Sequence, residues 1–147
     1  MHTFRSIAFA VVALPALVCC TGCFATVGDY VGSGDHETLR QVLNLPADTL
    51  LDEAMVKQAL DEKFPPGTSR DEVVASLPPT EPDVGVLVPW SPWVVTSVPD
   101  SLADTISIWS GTPPNILYGL TCGFGIGIDF AGGTVSSTLV NGSCTGF

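Results

Sequence analysis

Apolar residues recur at a helical interval between residues 47 and 64. In ADTLLDEAMVKQALDEKF, Leu51, Met55, Val56, Ala59, Leu60 and Phe64 fall on one face of a helix. Asp48 or Thr49 is placed to cap its start, and Glu53 to pair with Lys57 one turn on. Asp61-Glu62-Lys63 is its solvated side. Pro65-Pro66-Gly67-Thr68 breaks the pattern. Ser69 and Glu72 then form a capping box for a second helix, with Val73, Val74 and Leu77 as its apolar face and Pro78-Pro79 as its end. A shorter helical turn over 38–43, closed by Asn44-Leu45-Pro46, precedes both.

From residue 84 the period changes from helical to alternating. VGVLV at 84–88, WVVTSV at 93–98 and TISIW at 105–109 are β-branched or aromatic runs with turn residues between them. Ile116-Leu117-Tyr118 begins another run. FGIGIDF at 124–130 and TVSSTLV at 134–140 flank a tight Gly132-Gly133 turn. A two-residue loop there sets Phe130 opposite Val135, Ile128 opposite Ser137 and Ile126 opposite Leu139, which stacks the apolar set on one face. Cys122 then falls opposite Ser143. A bulge near Gly142 brings it to Cys144 and permits a disulfide; two separate buried thiols are the alternative. The order predicts an α+β fold in two layers, two helices followed by an antiparallel sheet of about four to five strands.

Charge narrows the choice of partner. The chain of 147 residues carries a formal net charge of −10, and no Lys or Arg follows Arg70. Nucleic acid is excluded as a partner, since its binding is driven by cations that neutralise phosphates. Basic attraction to anionic lipid is excluded for the same reason.

The N-terminus predicts membrane attachment by another route. Arg5 precedes the uncharged stretch SIAFAVVALPALV at 6–18, too short for the ~20 residues of a bilayer-spanning helix and interrupted by Pro15. Small residues and cysteines follow, as in a secretory signal. LVCCTGC, 17–23, resembles the lipobox of bacterial lipoproteins, whose cysteine becomes the lipidated N-terminus. Leu17-Val18-Cys19 points to Cys20, and Cys20-Thr21-Gly22 points to Cys23. The chain has five cysteines. Cleavage before Cys23 leaves one for lipid and two, Cys122 and Cys144, to pair in an oxidising compartment, whereas cleavage before Cys20 leaves an odd thiol. This divides the chain into a signal peptide at 1–22, a lipidated N-terminus and flexible tether at 23–46, and an α+β domain at 47–147. In that division His36, between Asp35 and Glu37, is a solvated tether residue.

KFPPGTSRDEVVASLP, 63–78, resembles the opening of the second helix in small envelope lipoproteins of the SmpA/OmlA (BamE-like) family. Gly67 and Thr68 stand at that family's turn, Val73 at its mid-helix apolar position and Leu77 at its helix end. The resemblance implies a lipoprotein of the outer membrane facing the periplasm, acting as a protein-interaction or assembly module in outer-membrane protein assembly. The related inhibitor-like arrangement, two helices and then four strands, fits the length of the strand region. It implies an inhibitor-like or ligand-binding module in the periplasm as the alternative.

No catalytic set emerges. A nucleophile needs a neighbouring base, and His36 is the only histidine beyond the signal. Gly123-Phe124-Gly125-Ile126-Gly127 lies in a strand pattern without the Lys and helix of a phosphate loop. Asp52/Glu53, Asp61/Glu62 and Asp71/Glu72 belong to helix faces or caps, and Asp129 alternates onto the face away from the core. The spacing of CCTGC does not suit a metal. The expectation is a non-enzyme without metal or cofactor, apart from the covalent lipid. Trp90, Trp93, Trp109 and Tyr118 are the residues suited to core packing or to a partner surface.

Overall fold

Helix ends explain where the elements begin. In the computed structural model, which describes residues 31, 36–81, 91–99, 104–111 and 120–146, the order is α1 (Glu37–Leu43), α2 (Glu53–Lys63), α3 (Arg70–Ser76), β1 (Trp93–Pro99), β2 (Asp104–Gly111), β3 (Leu120–Ala131) and β4 (Thr134–Gly146). The fold is α+β, and its four strands form one antiparallel sheet in chain order. The strand runs at 84–88 and 116–118, Trp90, Tyr118, the signal, and both Cys20 and Cys23 lie outside the described residues.

Among the described residues three helices precede the sheet rather than two. The additional one is α1, which sequence context assigns to the tether. Asn44 closes it in the left-handed conformation, φ 55°. Leu39, Val42 and Leu43 are buried in the same core as the sheet, so the packed part of the chain begins well before residue 47. Helix α2 starts later than its periodicity predicts. Arg40 Nη2 donates to the Thr49 carbonyl at 2.9 Å and Nη1 donates to the Pro46 carbonyl. These bonds hold 46–49 as a turn, and Asp52 becomes the cap, accepting from the Met55 amide at 2.7 Å. The apolar face holds as predicted: Leu51, Val56, Leu60 and Phe64 are buried, with Met55 and Ala59 packed beside them. In α3, Ser69 Oγ accepts from the Glu72 amide at 3.2 Å. Val73 is buried, whereas Val74 turns to solvent.

The polar side of α2 differs from expectation in two places. Glu53 does not pair with Lys57; its carboxylate accepts from the Gly142 amide of β4 at 2.7 Å. Lys57 instead pairs with Asp61, which also accepts from Thr138 Oγ1. Burial pushes the Asp61 carboxyl upward, but hydrogen bonds from Lys57 and Thr138 and the Lys57 charge outweigh it, holding the group below its ordinary range. A depressed carboxyl stabilises the fold above its unfolded pKa, and that stability is lost as pH falls through the lower folded value. Asp61→Asn is therefore expected to lower stability at pH 7, where the contribution is fully present, and to flatten the acid limb of a denaturation-versus-pH curve below about pH 4. The effect belongs within the roughly 0–1 kcal/mol of exposed pairs.

Inside the sheet, Ile106 and Ile108 of β2, Phe124, Ile126, Ile128 and Phe130 of β3, and Val135 of β4 face the helices as one buried set. Trp93 closes it from β1, donating its indole Nε1–H to the Pro78 carbonyl at 3.2 Å. Both sheet edges are covered in part. Thr80 Oγ1 accepts from the Val95 amide and donates to the Val95 carbonyl, and the Glu81 amide donates to the Trp93 carbonyl. On β4, the Gly67 amide donates to the Val135 carbonyl, Val135 N–H to the Thr68 carbonyl, and the Arg70 amide to the Gly133 carbonyl. Gly67 holds φ 96°, a conformation that favours glycine.

The β3–β4 register corrects one prediction and bears out another. The bulge sits at Ser136, which is unmatched between Phe130↔Val135 and Asp129↔Ser137, not near Gly142. Its hydroxyl donates to the Asp129 carbonyl at 3.1 Å. Beyond it Ile128 faces Thr138 and Ile126 faces Val140, so Leu139 points away from the core. The same shift sets Cys122 opposite Cys144, with Cα atoms 4.0 Å apart and the thiols joined as a disulfide.

Candidate interaction face

Strand alternation that buries the even-numbered residues of β2 and β3 sends the odd ones to the opposite face. Three cross-strand rows follow from the register: Val94–Trp109–Gly125–Asn141, Thr96–Ser107–Gly127–Leu139, and Val98–Thr105–Asp129–Ser137. Val98 is 50% exposed and Leu139 64% exposed, among the most open large apolar side chains described. Asp129 is the one formally charged residue in the rows, and both its oxygens are engaged, by Thr105 Oγ1 and Ser137 Oγ at 2.8 Å each.

The middle strand gives this face its shape. Gly123, Gly125 and Gly127 leave β3 without side chains there. The Trp109 indole lies across the Gly111–Gly123 end: a Cβ at Gly111 would stand 2.4 Å from Nε1, and one at Gly123 2.7 Å from Cζ2. At Gly125 and Gly127 an added Cβ meets nothing nearer than 3.7 and 3.8 Å. The result is a trough floored by Gly125 and Gly127, walled by Trp109 and Ser107 on one side and by Asn141 and Leu139 on the other. The Trp109 Nε1–H is shielded from water without a hydrogen-bond partner among the described residues.

This geometry separates two glycines that sequence treats alike. A Cβ at Gly123 would also stand 2.4 Å from the Ser110 carbonyl oxygen, a backbone atom that cannot move without shifting β2. Gly123→Ala is expected to cost about 2–3 kcal/mol through overpacking. Gly125→Ala should be neutral, or stabilising by up to about 1 kcal/mol because the unfolded chain loses freedom. Urea melts of the two variants check this, and equal costs would contradict the assigned path of the indole.

The sequence candidates therefore disperse. Trp93 belongs to the core and Trp109 to the outer face. His36 is buried, not solvated: Nε2 donates to the Val31 carbonyl at 2.6 Å and Nδ1 lies 3.1 Å from Ser110 Oγ. A carbonyl only accepts, which places the proton of the neutral ring on Nε2 and leaves Nδ1 to accept from Ser110. The ring also tilts against Phe124, centroids 5.1 Å apart. Leu139 is the residue that sequence reasoning misplaced, because a one-residue bulge decides its face. Among the described residues no three His, Cys, Asp or Glu are grouped to hold a metal, and no helix is long and apolar enough to cross a membrane. Compared with known proteins, the chain matches no family model, no curated protein and no solved structure.

Proposed function

We propose that the chain is an envelope lipoprotein, carrying lipid on Cys23 at the periplasmic side of the outer membrane, whose two-layer α+β domain is a protein-interaction module for assembly of envelope proteins. One observation carries the interaction role: on a chain of net charge −10, the outer face of the sheet has a single formal charge among the described residues, Asp129, whose oxygens are both engaged by neighbouring hydroxyls, and offers Val94, Val98, Trp109 and Leu139 around an open glycine trough. A surface of this kind suits an uncharged, apolar segment of another envelope protein, with one side chain seated over Gly125 and Gly127. The lipobox-like LVCCTGC and the Gly67–Leu77 motif support the address and the assembly role.

Photo-crosslinkers at Leu139 and Val98 should capture one partner repeatedly, whereas a crosslinker at Ala54 on α2 should not. Leu139→Asp and Val98→Asp should each weaken that partner's affinity about tenfold, within the range of interface hot spots, with thermal midpoints unchanged. Equal capture from Ala54 would overturn the assigned face. Reproducible absence of barrel-assembly subunits among the crosslinked proteins would overturn the assembly role and favour the inhibitor-like or ligand-binding alternative. Mass spectrometry of the mature N-terminus tests the anchor: an acyl group on Cys23 supports it, and an unmodified N-terminus upstream of Cys23 refutes it.

A further inference from the structure

The chain joins the core at one end of the sheet. Val31 is buried, its carbonyl accepts from His36, and its Cγ1 lies 3.4 Å from where a Cβ on Gly142 would stand. His36 in turn reaches Ser110 of β2 and Phe124 of β3. Val31 is thus fixed beside Ser110, Phe124 and Gly142, the end of the sheet that also carries Cys122–Cys144. The Gly132-Gly133 turn lies at the other end.

We propose that the domain stands on the bilayer by the Ser110–Gly142 end, with the Gly132-Gly133 turn pointing away and the outer face of the sheet turned sideways, along the membrane. The inference rests on the reading of Cys23 as the lipid carrier. Cys23 lies eight positions before Val31, a reach of at most about 29 Å when fully extended. Gly142 likewise lies eight positions beyond Thr134 along β4, which is about 27 Å of strand. The turn therefore meets the lipid surface only with the connecting chain pulled straight, at the full cost of its conformational entropy. A tether running to residue 46 would reach about 80 Å and let the domain tumble freely. The burial of Val31 and His36 removes that freedom. A sheet standing upright shows the Trp109–Leu139 face to a protein embedded in the same membrane.

The test uses the full-length acylated protein in phospholipid vesicles that contain a nitroxide-headgroup lipid. A fluorophore is placed on Asn141→Cys, near the joined end, or on Ala131→Cys, beside the turn; both sites are exposed, and Cys122 and Cys144 are already bonded to each other. Quenching is expected to be at least threefold stronger at position 141. Ten Gly/Ser residues inserted between Ala25 and Thr26 should abolish the difference. Equal or reversed quenching in vesicle-bound protein overturns the orientation, and a difference that survives the insertion overturns its assignment to chain length. Protein that neither floats with vesicles nor carries an acyl mass overturns the anchor reading itself, and with it this inference.

Discussion

His36→Ala is expected to be among the most destabilising single substitutions in the domain, at about 3–5 kcal/mol. The ring sits in the core, hydrogen-bonded to a backbone carbonyl and to a side chain 74 residues away. Alanine leaves the Val31 carbonyl and the Ser110 hydroxyl buried and unpaired, each worth about 1–3 kcal/mol. It also opens a cavity against Phe124. His36→Gln places an amide near the former Nε2 and should recover the bond to Val31, roughly halving the loss. Urea denaturation distinguishes the two variants. Limited proteolysis gives a second readout: alanine should expose the chain around residue 31 to cleavage while the sheet stays intact. A His36→Ala midpoint equal to wild type would contradict the assigned hydrogen bonds.

Replacing both cysteines, Cys122→Ser with Cys144→Ser, is expected to cost about 3 kcal/mol. The bond closes a loop with a sequence separation of 22, a size for which lost chain entropy in the unfolded state predicts a value between about 3 kcal/mol for 15 residues and about 4.7 kcal/mol for 100. In a domain of this size, that loss lowers the thermal midpoint by roughly 12–24 °C. Reductant should bring wild type to the level of the double variant and leave the double variant unmoved. Amide exchange should accelerate first in the paired ends Leu120–Gly123 and Ser143–Gly146, which the bond holds together. A reductant-insensitive wild type would show that the bond contributes nothing.

Helix faces and strand alternation were legible in the sequence because they depend on spacing alone. Leu51, Val56, Leu60 and Phe64 needed only a period, and the Ser69 cap needed only its own side chain and an amide three residues on. What failed depended on contacts across the fold. Asp48 and Thr49 look like caps until Arg40, from another helix, takes the carbonyls that a longer helix would have used. Glu53 and Lys57 have the spacing of a pair, yet the Gly142 amide and Asp61 offer each a better partner. Ser136 carries no signal of a bulge, and that one residue decides both that Leu139 faces outward and that the cysteines meet. Composition misled most at His36. Gly, Ser, Asp and Glu around it predict solvent, while the core claims the ring itself. The candidate face inherits this split: its glycines and tryptophan were visible in the sequence, and its outermost side chain was not.

The partly covered sheet edges have a further consequence. An open strand edge invites end-to-end sheet growth. Thr80 and Glu81 engage the Val95 amide and the Val95 and Trp93 carbonyls of β1, while Gly67, Thr68 and Arg70 engage Val135 and Gly133 and Glu53 the Gly142 amide on the β4 side. Those positions are closed to strand pairing with a neighbouring copy.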